Sequence, residues 1–133
     1  KRKETSCNGT MPCPLIFRDL LALAPRQQDL RWEPFRPGVD IHWIHREGGD
    51  GAAAVLIRFQ PGGRVPLHEH GGHEYIFVLS GSQTDESGRL TAGSVMVHPP
   101  RTRHRIVSEE GCFVLAICER PVRFLDEGTF ARA

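Results

Sequence analysis

The sequence predicts an all-β fold, a sandwich or small barrel of short strands, and three observations carry that prediction. Seven strand-like runs recur between residues 39 and 118, with breaks rich in glycine, proline, aspartate or serine between most of them. The 14 glycines and 10 prolines among 133 residues supply turns and disfavour long helices. Finally, "EYIFVLSG" alternates with Glu74, Ile76 and Val78 on one face and Tyr75, Phe77 and Leu79 on the other. Both faces are apolar. One therefore lines an interior, and the other needs a cover, either a second sheet, the amino-terminal segment or a second subunit, which makes a homodimer an expectation.

Residues 1–14 read as a polar, proline-punctuated arm. A short amphipathic helix is expected over 15–24, with Leu20, Leu21 and Leu23 on one side and Pro25 as its end. The strand-like runs are "VDIHWIHR", "AAVLIRF", "HEYIFVLSG", "RLTAG", "SVMVHPP", "HRIVSEEG" and "CFVLAIC", and "SGSQTDESG" is read as a break between two of them. The domain plan is then an arm with a short helix over 1–30, a barrel over 31–125 and a tail over 126–133.

Composition excludes several function classes. A formal net charge of +1 gives no electrostatic footprint for nucleic acid or an anionic membrane. Lys1 and Lys3 are the only lysines, so the folded part offers no amine for Schiff-base chemistry. No apolar run reaches the length of a membrane span, and Arg18 and Asp19 interrupt the stretch that most resembles a signal peptide. Cys7, Cys13, Cys112 and Cys118 form no CxxC pair and read as buried free thiols in a reducing, cytoplasmic setting.

The chemistry concentrates in "GGRVPLHEHGGHEYIFVLSG", residues 62–81. His68 and His70 are two apart on a strand, so both rings leave the same face. Gly71 and Gly72 allow a sharp bend, after which Glu74 points inward with Ile76. Two imidazoles and a carboxylate converging from adjoining strands make a nitrogen and oxygen donor set for a first-row divalent cation. His73 falls on the opposite face, in a surface or supporting role. Further candidate pocket residues are Ile76, Met96, His98 and Arg58: His98 alternates with Met96, and Arg58 interrupts an apolar strand, where it pairs with a carboxylate, binds substrate or lies at an exposed edge.

These residues resemble the first cupin motif at every fixed position: Gly62, His68, His70, Glu74 and Gly81. "GSVMVHPPRTRH" is similar to the second motif through Gly93, Pro99 and His104, with Arg101 in place of the turn glycine and Ser108 in place of the closing asparagine. Over roughly residues 30 to 120 the chain resembles the cupin domain of ChrR-type anti-sigma factors. That resemblance implies a double-stranded β-helix, a jelly-roll barrel holding one divalent ion such as iron, zinc, manganese or nickel, with His104 as the fourth ligand.

Three imidazoles and one carboxylate leave such an ion about one positive charge and, at six-coordination, two open positions. The first functional expectation is therefore a dioxygenase-like oxidoreductase acting on a small, anionic, oxygenated compound. The second is a ChrR-like regulatory sensor or small-ligand binding cupin, and the third a sugar isomerase. Residues 1–30 hold no histidine and no suitably spaced cysteine pair, so a ChrR-type zinc-binding domain is not expected there, nor a sigma factor as partner.

Overall fold

A computed structural model of the chain describes residues 3–5 and 12–125. The expected tail at 126–133 and most of the expected arm lie outside the described residues. Two compact units divide between Arg31 and Trp32. In the first, strand β1 (Lys3–Thr5) pairs antiparallel with β2 (Leu15–Phe17), and a 3-10 helix runs over Leu20–Asp29. This differs from the helix expected at 15–24. Asp19 adopts a left-handed backbone with φ 56°, which separates the strand from the helical turns, and Pro25 lies inside them rather than ending them. Arg26, at φ −127°, breaks the helical geometry, as suits 3-10 turns used in short pieces.

The described residues of the second unit form only strands and their connections. Its strands are β3 (Glu33–Arg36), β4 (Val39–Arg46), β5 (Ala53–Phe59), β6 (Gly63–His70), β7 (Glu74–Asp85), β8 (Gly88–Thr91), β9 (Val95–His98), β10 (Arg103–Ser108), β11 (Cys112–Cys118) and β12 (Val122–Phe124). One antiparallel sheet runs β3-β4-β5-β11-β7-β9, and the other β12-β6-β10-β7-β8. The long strand β7 belongs to both, which joins the two sheets of a jelly roll.

Residues 82–85, read from the sequence as part of a break, are the second half of β7. Gly81 misleads because its φ of 74° is a turn signal. Here it marks the place where the strand leaves one sheet for the other, passing so close to Gly111 that an added Cβ would collide with the Gly111 carbonyl. The register of β7 against β11 also shifts at this point, from Val78↔Val114 to Ser80↔Phe113. That bulge changes which alternate residues point inward. Ile76 and Val78 face the interior before it, and Gln83 after it.

Both sheets contribute to a single interior. Val39, Ile41, Val55, Phe59, Ile76, Val78 and Val114 pack with Val65 and Ile106 from the facing sheet. On the outer side of β11, Phe113 is fully buried with its ring edge-on to Trp32 at 6.1 Å. The Arg58 guanidinium lies 4.4 Å from the same indole and bonds Asp40 Oδ2 at 2.7 Å. Arg58 therefore pairs with a carboxylate and does not line the interior, which corrects its place among the pocket candidates. Among the described residues no helix is long and apolar enough to cross a membrane.

Candidate metal centre

Strand β6 brings His68 and His70 to the interior, at 3% and 1% exposure, because the two share one face of a buried strand. Glu74 opens β7 at 7% exposure. His104 reaches the same place because β10 pairs with β6 in a register that sets it opposite His68. The donor atoms of these four residues all lie within 4.8 Å of one another. His70 Nε2 is 2.9 Å from Glu74 Oε1, near the ~3 Å that separates two ligands at right angles on an ion with bonds of about 2.1 Å.

Each imidazole is oriented through its Nδ1. That of His68 donates to the Pro66 carbonyl at 2.8 Å, and that of His70 to Thr102 Oγ1 at 2.9 Å. Thr102 in turn donates its hydroxyl to the Pro99 carbonyl, so its oxygen is left to accept. His104 Nδ1 donates to Asp85 Oδ2 at 2.8 Å, with the Asp85 side chain 2% exposed. A carbonyl and a carboxylate can only accept, so the proton sits on Nδ1 and Nε2 keeps its lone pair. Nε2 of His70, Nε2 of His104 and Oε1 of Glu74 are buried with no hydrogen-bond partner. A divalent cation satisfies all three at once, and the residues present fit it.

Electrostatics point the same way. Burial, the largest influence, lowers the pKa of His68 and of His104 despite the opposing bonds to Pro66 and Asp85. Neutral imidazole, the ligating form, is therefore favoured. Burial alone would raise Glu74, but the close approach of the His70 ring, with the Cys118 thiol and His68 beside it, outweighs burial and holds the carboxyl below its usual value. Glu74 Oε2 also accepts from the Cys118 thiol at 3.1 Å, and burial together with the Glu74 carboxylate pushes that thiol up.

The other pocket candidates divide. Ile76 lines a cavity of about 650 Å³, as do His68 and Glu74. His98 is 8% exposed and stacks on His70 at 4.5 Å, and burial followed by the neighbouring His104 and His70 lowers its pKa to about 4. It packs against the rings of His70 and His104, its Nε2 is buried without a hydrogen-bond partner within reach of Asp85 and His104, and it is not part of the cavity wall. Met96, although paired opposite Ile76, is not part of the cavity wall either. The cavity is larger and more apolar than the small anionic ligand expected from the sequence would need. His73 pairs with Glu119 at 3.0 Å on the outside. Arg101 carries the left-handed turn with φ 69°, and buried Ser108 ties β10 to β7 by donating to the Ser82 carbonyl at 2.5 Å.

Sequence reasoning missed Asp85, Thr102, Gln83 and the contact of Cys118 with Glu74. The first three carry no motif signal of their own. The pairing of Cys118 with Glu74 follows from the β11–β7 register. Cys112 and Cys118 are free as expected, whereas Cys13 is disulfide-bonded, which corrects the reading of free thiols at that position.

The sequence pattern of the ChrR cupin-like domain matches residues 22–122. The anti-sigma-E factor ChrR of Cereibacter sphaeroides is 36% identical over 123 residues, covering 85% of this chain and 56% of that protein. Among solved structures, Rhodobacter sphaeroides SigE in complex with the anti-sigma ChrR matches with a TM-score of 0.65 at 32% identity, over 75% of this chain and 59% of the other. A provisionally assigned acetylacetone dioxygenase from Methylibium petroleiphilum PM1 matches with a TM-score of 0.68 over 75% of this chain and 78% of the other. At 16% identity it shows the fold alone. The chain spans a little over half the length of the ChrR relative. The expectation that a sigma factor is no partner is overturned: its close relative bears the name of an anti-sigma factor and has been solved bound to SigE. That expectation rested on what residues 1–30 lack, and in a chain spanning part of its relative such a lack carries no weight.

Proposed function

This chain belongs to the ChrR cupin-like domain family, and from that premise we propose that it is a metal-binding regulatory module whose protein partner is a sigma factor. The observation that carries this reading is 36% identity across 85% of the chain to a protein named as an anti-sigma factor. The buried cluster of His68, His70, Glu74 and His104 supports a divalent ion as part of it. The four side chains would hold the ion, and the ion would supply a Lewis-acidic point joining β6, β7 and β10. Loss or alteration of the ion would then loosen three strands at once, a physical route from the centre to a partner surface.

The test is co-purification of the chain with the sigma factors of its own genome, in the presence of zinc and after chelation. Retention of one sigma factor, with an affinity that changes on chelation, is the expected result. Retention of none would overturn the reading.

A second reading, oxygenase chemistry at the ion, is favoured by the apolar cavity that reaches His68 and Glu74. Oxygen consumption by the iron(II)-loaded chain on small dicarbonyl compounds would support it, and no uptake across such a panel would set it aside. A sugar isomerase finds less support, since an apolar wall offers few partners for a ring of hydroxyls.

A further inference from the structure

Of the polar side chains in the cavity wall outside the metal centre, Gln83 is deeply buried and unpaired. The cavity has largely apolar walls, with Ile41, Val55, Val65, Ile106 and Val114 around Ile76, and its size of about 650 Å³ suits a small organic molecule. Gln83, on the second half of β7, is part of the lining and is 1% exposed. Its Oε1 and Nε2 are both buried without a hydrogen-bond partner. A buried carboxamide in an apolar wall is unfavourable unless something pairs with it. Two residues further along the same face, Asp85 holds His104, while Glu74 borders the cavity from the other half of the strand.

The unpaired group selects its own ligand chemistry. A carboxamide presents an acceptor and a donor side by side. An anion would satisfy the donor and leave Oε1 unpaired, and a cation would do the reverse. A neutral group with an adjacent N–H and C=O satisfies both, in the way an amide side chain pairs with the edge of a base. The terminal torsion of glutamine is soft, so the carboxamide can turn toward the cavity without moving the backbone.

We infer that the cavity binds a neutral small molecule with an apolar body and a cis-amide edge, a lactam or primary amide, which Gln83 reads by a paired hydrogen bond. This goes beyond the sigma-factor reading and does not rest on it, and neither the metal nor a partner protein is needed for the contact.

The test uses a matched pair of probes, 4-phenylpyrrolidin-2-one and its N-methyl derivative, titrated calorimetrically into the full chain. The lactam is expected to bind wild type about tenfold tighter or better, because the N-methyl compound leaves Oε1 unpaired. Gln83→Leu should abolish that difference and leave the N-methyl compound within about twofold of its wild-type affinity. Far-UV circular dichroism and an amide NMR spectrum establish that the variant is folded. If it is not, the comparison of the two probes on wild type still decides. Equal affinities on wild type, no binding of either at millimolar concentration, or a preference that persists in folded Gln83→Leu would each overturn the inference. Failure of sigma-factor retention would leave it standing.

Discussion

Removing the carboxylate behind His104 probes the centre without touching a proposed ligand. Asp85 Oδ2 accepts from His104 Nδ1 at 2.8 Å, with side chains 2% and 4% exposed. In Asp85→Ala no water replaces the lost acceptor easily, so the imidazole loses both its tautomer control and its orientation. Removing such a supporting group typically costs 10- to 100-fold in metal affinity, about 1.4–2.7 kcal/mol. The burial of this pair places Asp85→Ala near the upper end. Asp85→Asn keeps an acceptor but not the charge and should fall between, at about tenfold. Thr102→Val removes the neutral partner of His70 and should cost about tenfold or less. The assay is competition for zinc against a chromogenic chelator at pH 7.5, with thermal melts of the metal-free forms to establish folding and cobalt absorption to report ligand geometry. An Asp85→Ala variant that binds zinc within about threefold of wild type would refute the reasoning.

Three further outcomes are expected. In the metal-free protein, His68, His98 and His104 hold their protons less tightly than unfolded imidazole, His98 down to about 4. Above pH 6.5 both folded and unfolded forms are neutral, but below it the unfolded chain takes up protons that the folded chain refuses. Urea titrations should therefore show full stability above pH 6.5 and a loss as pH falls toward 4, at up to about 1.4 kcal/mol per pH unit for each such group; a flat profile would contradict this. Arg101→Gly should raise stability by about 1 kcal/mol, since Arg101 holds φ 69° and its N–H bond to the His70 carbonyl is kept; a lowered urea midpoint would count against that account. Phe113→Ala should cost about 3–5 kcal/mol by opening a cavity beneath Trp32, and a loss under about 1 kcal/mol would show that the outer layer is not packed as described.

The sequence was most legible where a local period repeats. Strands β4, β5 and β11 begin and end where alternation and turn residues place them, and the common facing of His68 and His70 follows from the two-residue period of one strand. The errors fell where distant contacts override local signals. Gly81 reads as a turn, yet the two sheets need a crossing there, and β7 continues to Asp85. Leu15–Phe17 reads as the start of a helix, yet it finds a strand partner in Lys3–Thr5. Arg58 reads as a pocket candidate from its apolar neighbours, yet Asp40 and Trp32 hold it on the outer side.

By itself, the sequence determined the class of fold, the family and the types of donor atom, because spacing along a strand and the chemistry of side chains are local properties. Tertiary structure alone decided that Asp85 and Thr102 orient the imidazoles, that Cys118 touches Glu74, and that Gln83 stands unpaired beside an apolar cavity. Those relations depend on strand register and on one bulge in β7, which set distances between residues far apart in the chain.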